Sequence, residues 1–126
     1  MFEFTVEQKL FGEMIRRWAE ENLVPALPDL ELGRSLPYDL MRDFMATLGL
    51  DEMVRKRYQG TSGKEKPGGS PAPSYDPGWE AMIAIELSRV CPGFMLAFGA
   101  STGLAGRTVM ARGTDRQKAR WGIPLL

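Results

Sequence analysis

Apolar residues recur at three- and four-residue steps through the first fifty positions. Leu10, Phe11, Met14, Ile15 and Trp18 share one face of a helix, whereas Glu13, Arg16, Arg17 and Glu20 fall mainly on the other. Thr5-Val6-Glu7-Gln8 ahead of them reads as a capping box, in which the threonine hydroxyl serves an orphan amide and the glutamine reaches back to the cap. The pattern predicts a first helix from about Val6 to Asn22. Pro25 and Pro28 are expected to end it and open a short extended connection. Pro37, preset by its ring for a first helical turn, introduces a second periodic run of Leu40, Met41, Phe44, Met45 and Leu48, with Gly49 placed to close it in a left-handed cap.

The character then changes. Nine of the twenty residues from Gln59 to Gly78 are glycine or proline, and a segment so poor in apolar side chains predicts a long irregular loop over about 59–78. A Gly-Lys pair inside Gly60 to Glu65 does not make a phosphate loop, because Tyr58 stands where its first glycine would be and Glu65 where the magnesium-holding hydroxyl would be. Asp76-Pro77 restarts a helix whose stripe is Trp79, Met82, Ile83, Glu86, Leu87 and Val90, and Pro92 breaks it. Phe94 to Arg112 is apolar and small, with Gly99, Gly103 and Gly106 spaced for close helix approach rather than as a dinucleotide fingerprint. Gly113 closes that segment, and Thr114-Asp115-Arg116-Gln117 is a second capping box opening a basic helix. No stretch alternates as a strand does. The expected fold is all-α, an up-and-down bundle of about five or six helices with one long Gly/Pro loop, in a single domain over residues 1–126.

Composition removes several function classes. The chain has 126 residues, with sixteen Lys and Arg balancing sixteen Asp and Glu, which leaves no basic excess for neutralising nucleic-acid phosphates. Histidine is absent, so Ser-His-Asp and Cys-His nucleophile pairs and histidine metal sites are excluded, and the single Cys91 allows neither an intrachain disulfide nor a thiolate zinc cluster. No membrane-spanning run or targeting segment is expected, and the cytoplasm is the default location. Residues 1–53 carry eleven acids against five bases, and residues 54–126 reverse the two numbers. That split fits either two solvated faces or a basic half that meets an anionic ligand.

Candidate chemistry is sparse. Glu86 is the one carboxylate on an apolar stripe, where burial would raise its pKa towards a proton acceptor's, although Arg89 three residues on offers a helical salt bridge. Ser101 and Thr102 could touch a ligand or bond back to the preceding turn. Cys91 lacks a base to activate it, and Arg55, Lys56 and Arg57 form the densest basic cluster.

Several strings in order carry a resemblance. Trp18-Ala19-Glu20-Glu21, Leu36-Pro37-Tyr38-Asp39-Leu40, Leu48-Gly49-Leu50, Ile85-Glu86-Leu87-Ser88-Arg89 and Arg112-Gly113-Thr114-Asp115-Arg116-Gln117-Lys118, followed by Trp121, resemble the N-terminal helical domain of acyl-CoA dehydrogenases over nearly the whole chain. The resemblance implies an FAD enzyme that carries out α,β-dehydrogenation of an acyl-CoA thioester, with a middle β-domain and a C-terminal helical domain that supplies the glutamate base and builds the oligomer. It also implies an electron-transfer partner. Both further domains are expected to be absent from this chain, which alone should be inactive and retain no FAD. Leu96, Ala97, Ala100, Ser101 and Leu104 are implied as one wall of the acyl pocket, with no catalytic residue and no metal ligand in the chain. Where the family reads Val-Pro-Glu-x-Tyr-Gly-Gly, this chain has Val54-Arg55-Lys56-Arg57-Tyr58-Gln59-Gly60. The alternative is a non-catalytic helical interaction module descended from that domain.

Overall fold

The computed structural model describes residues 3–53 and 77–125, and every described element is helical. The all-α expectation therefore holds for these residues, while the Gly/Pro loop lies outside them except at Pro77 and Gly78, which form the first turn of a helix. The helices are α1 (Val6–Trp18), α2 (Val24–Glu31), α3 (Tyr38–Thr47), α4 (Pro77–Val90), α5 (Pro92–Phe98), α6 (Arg107–Arg112), α7 (Asp115–Gln117) and α8 (Ile123–Leu125). Wider π-helical turns join some of them, at Ala19–Leu23, Gly99–Gly106 and Lys118–Gly122. Two compact units result, one from Met1–Phe44 with Pro71–Met95 and one from Met45–Ser70 with Leu96–Leu126.

In the first unit, α1 begins as its sequence predicts. The Gln8 amide donates to Thr5 Oγ1 at 3.2 Å and the Thr5 amide donates to Gln8 Oε1 at 2.9 Å. The end of α1 departs from expectation: Pro25 and Pro28 do not stop the helix. At the π turn the Val24 amide donates to the Ala19 carbonyl five residues back, which loosens the ladder ahead of Pro25 and lets a ring without an N–H enter near the start of α2. The chain stays helical to Glu31 and closes at Gly33, where φ is +66° and the Arg34 amide reaches the Asp29 carbonyl at 2.8 Å. Gly49, at φ +67°, fills the left-handed position after α3 that its sequence reserves for it.

The core of this unit holds Ile15, Trp18, Ala19, Leu23, Met41, Phe44, Met82, Leu87 and Phe94. Trp18 meets Phe44 edge-on at 4.9 Å and lies 6.1 Å from Phe94, while its indole N–H donates to Asp43 Oδ2 at 2.7 Å. The inner face of α1 is rotated from the one that apolar spacing predicts. Gln8, Gly12, Ile15 and Trp18 are buried, whereas Leu10 and Met14 are more than half exposed. Gly12 explains the rotation, because a Cβ there would lie 2.9 Å from Met82 Sδ: without a side chain, α1 can lie close against α4.

The second unit follows a helical path from α5 through Gly99–Gly106 to α6, turns at Gly113, and runs on from α7 to α8. The hydroxyls of Thr102 and Thr108 donate to the carbonyls of Phe98 and Leu104 at 2.9 and 2.6 Å, competing with the backbone ladder where the helix widens. Glycine lets segments approach at Gly122, where a side chain would collide with Met110; Gly103 by contrast faces open space. The second capping box forms as read, with the Thr114 amide donating to Gln117 Oε1 at 2.8 Å and the Gln117 amide to Thr114 Oγ1 at 3.3 Å.

Candidate functional site

The five residues expected to form a pocket wall all lie on the path from α5 into the π-helical segment of the second unit. Leu96, Ala100 and Leu104 follow one another at four-residue intervals, and Ala97 and Ser101 repeat that interval beside them, so the five make one stripe. Leu96 and Leu104 are 73% and 72% exposed, while Ala97, Ala100 and Ser101 are half-buried. Two leucines thus stand in solvent at either end of a run of small residues. At Gly103, just before Leu104, a Cβ would touch nothing within 4 Å. The Thr102 hydroxyl is committed to the Phe98 carbonyl one turn back, a bond within its own helical path.

Glu86 does not behave as a poised base. It is 4% exposed, but Arg16 grips it in a bidentate pair, Nε to Oε2 and Nη2 to Oε1, both at 2.9 Å. Arg89 Nε stands 3.6 Å from Oε2. These hydrogen bonds with Arg16 outweigh the opposing effect of burial and hold the carboxyl below its ordinary value, so Glu86 stays charged and fastens α1 to α4. Arg89 is thus the lesser partner, and Arg16 was legible only as a surface charge because the pairing spans seventy residues. Cys91 is half-buried and accepts the Phe94 amide at 3.3 Å, a cap for α5. Arg55, Lys56 and Arg57 lie outside the described residues.

A second feature escaped the sequence reading. Thr114, Arg116, Gln117, Arg120 and Trp121 surround a cleft of about 290 Å³ in the second unit, where the Arg120 guanidinium lies 5.3 Å from the centre of the Trp121 ring. The basic character of Lys118 and Arg120 was visible in the sequence, but not that Arg120 lies over the Trp121 indole within the π turn at Lys118–Gly122.

Among the described residues the elements are thus all helical, with two Thr-x-x-Gln capping boxes and a run of half-buried small residues between the exposed Leu96 and Leu104. The family model for the N-terminal domain of acyl-CoA dehydrogenases matches residues 5–126, and the chain belongs to that family. It is similar to a short-chain specific acyl-CoA dehydrogenase of Clostridium acetobutylicum, with 28% identity over 126 residues that cover 98% of this chain and 30% of that relative. The chain thus spans about a third of the length of that relative. No solved structure matches it.

Among the described residues no helix is long and apolar enough to cross a membrane, and no group of His, Cys, Asp or Glu could hold a metal ion. The described residues do not form a flavin cradle by themselves. No buried side-chain nitrogen or oxygen among them lacks a hydrogen-bond partner, and Gly99, Gly103 and Gly106 belong to a helical segment instead of a loop whose amides converge on phosphate.

Proposed function

We propose that this chain is the N-terminal helical domain of an FAD-dependent acyl-CoA dehydrogenase and supplies one wall of the acyl pocket through Leu96, Ala97, Ala100, Ser101 and Leu104. The observation that supports this reading most directly is the exposure of Leu96 and Leu104 along a stripe otherwise built from small residues. Such a surface gains free energy by covering a hydrocarbon, about 0.8 kcal/mol for each methylene buried. Ala97, Ala100 and Ser101 set the floor, and the two leucines flank it. The reaction is α,β-dehydrogenation of an acyl-CoA thioester, with the flavin and the proton-abstracting glutamate held by other domains of the complete enzyme. An electron-transfer partner, a homo-oligomer and a cytoplasmic location complete the proposal.

Assembly with polypeptide that supplies the middle and C-terminal domains tests it. Acyl-CoA should bleach the flavin absorbance of the complex, and Ala100→Phe should shift its preference to shorter acyl chains, with kcat/KM falling about fourfold for each methylene excluded. A chain-length profile unchanged by Ala100→Phe and by Leu104→Ala would refute the pocket wall. A chain that associates stably with those domains yet yields no flavin-dependent turnover would point instead to a non-catalytic interaction module.

A further inference from the structure

With Gly12 on its inner face, α1 keeps a second apolar stripe on its outside. Val6, Leu10 and Met14 follow one another at four-residue steps, and each is more than half exposed. On one side of Leu10 the ring of Phe11 meets Trp79 of α4 edge-on at 5.1 Å, and Trp79 is itself exposed, so the apolar surface continues onto the neighbouring helix. On the other side of the stripe stand Lys9 and Glu13, both exposed. Among the described residues neither of them forms an ion pair.

The order of these side chains along α1 is self-complementary. Turning a second copy of the helix about a two-fold axis at Leu10 sets Leu10 opposite Leu10 and Val6 opposite Met14. In an antiparallel pair the same flank of each helix faces its copy, which brings Lys9 to within about 3 Å, measured along the axis, of Glu13 in the second copy. Two reciprocal ion pairs then border the apolar contact, and the opposed helix dipoles favour the same arrangement. Glu3, Glu7 and Glu13 are exposed along this side of the molecule, a charge pattern that an anionic lipid surface would repel. We propose that the outer stripe of α1 binds a second copy of this chain, as an antiparallel helix pair about a two-fold axis at Leu10. The contact is independent of the pocket wall.

Disulfide trapping tests the register in the full chain, with Cys91→Ser removing the native thiol. Under mild oxidation with diamide, Leu10→Cys should cross-link to itself, since a disulfide needs Cα atoms within about 7 Å. Val6→Cys and Met14→Cys should each fail alone, their own copies lying about 12 Å apart along the axis, and should cross-link to each other when mixed. By sedimentation equilibrium, Glu13→Lys should weaken the dimer about tenfold, and combining it with Lys9→Glu should restore the affinity. The Leu10→Cys cross-link should persist when Leu96→Glu and Leu104→Glu are added, and Leu10→Glu should abolish the dimer with unchanged helical circular dichroism. No Leu10→Cys cross-link, or Val6→Cys joining to itself as readily, would overturn the two-fold contact. A dimer indifferent to Glu13→Lys would overturn the charge pairing, and binding to phosphatidylserine vesicles that Leu10→Glu abolishes, without any dimer, would assign the stripe to a membrane instead.

Discussion

A carboxylate at 4% exposure is costly to keep charged unless hydrogen bonds replace its water, and at Glu86 the Arg16 fork supplies two of them. Because the folded state holds the Glu86 pKa below its ordinary 4.5, the pair contributes stability that is fully present above that value and is lost as pH falls through the lowered one. Glu86→Gln should therefore cost about 1–3 kcal/mol at neutral pH and remove part of the acid dependence, so that unfolding curves of the two proteins converge as the solution is acidified. Curves that stay parallel would show that the pair does not govern acid stability. The spacing of apolar residues placed Glu86 on the buried stripe correctly. It could not show the partner, because a salt bridge between residues 16 and 86 has no local pattern.

Helix starts were written plainly in this chain and helix continuations were not. Both threonine capping boxes form as read, since each is a local bargain between a hydroxyl, an amide and a glutamine three residues on. Pro25 and Pro28 misled because a proline's effect depends on whether the preceding ladder still needs its N–H, and the π turn at Ala19–Leu23 alters that need. Glycines divide on the same principle. Gly33 and Gly49 have positive φ and open surroundings, so alanine there is opposed by backbone strain alone, and each substitution should destabilise by about 1 kcal/mol. Gly103→Ala, equally unobstructed but within a helical segment, should stabilise by about 0.5–1 kcal/mol. Urea midpoints of the three variants should thus move in opposite directions, and a common direction would contradict this account.

For the molecule as a whole, the sequence announced the helical class and the family through ordered strings, while leaving the two compact units unmarked. Units are defined by contacts between distant segments, and α1 finds α4 across the long stretch from Thr47 to Pro77 without a sequence signal for the pairing. The residues proposed for the pocket wall were singled out only through the resemblance, since Leu and Ala at helical spacing look like any core stripe. Their exposure carries a prediction at this scale. Sedimentation velocity on the isolated chain should reveal concentration-dependent association through the apolar strip, and Leu96→Glu combined with Leu104→Glu should suppress it. A monomer at every concentration would leave that strip without a demonstrated tendency to be covered.

The Arg16–Glu86 clasp also bears on how this sequence tolerates change in length. Closing a loop of some seventy residues carries an entropy that rises only with the logarithm of its length, about 0.6 kcal/mol for a doubling. Insertions between Thr47 and Pro77 therefore draw little on the attachment of α1 to α4. By that scaling alone, a longer or shorter connection would leave the clasp at its ends in register.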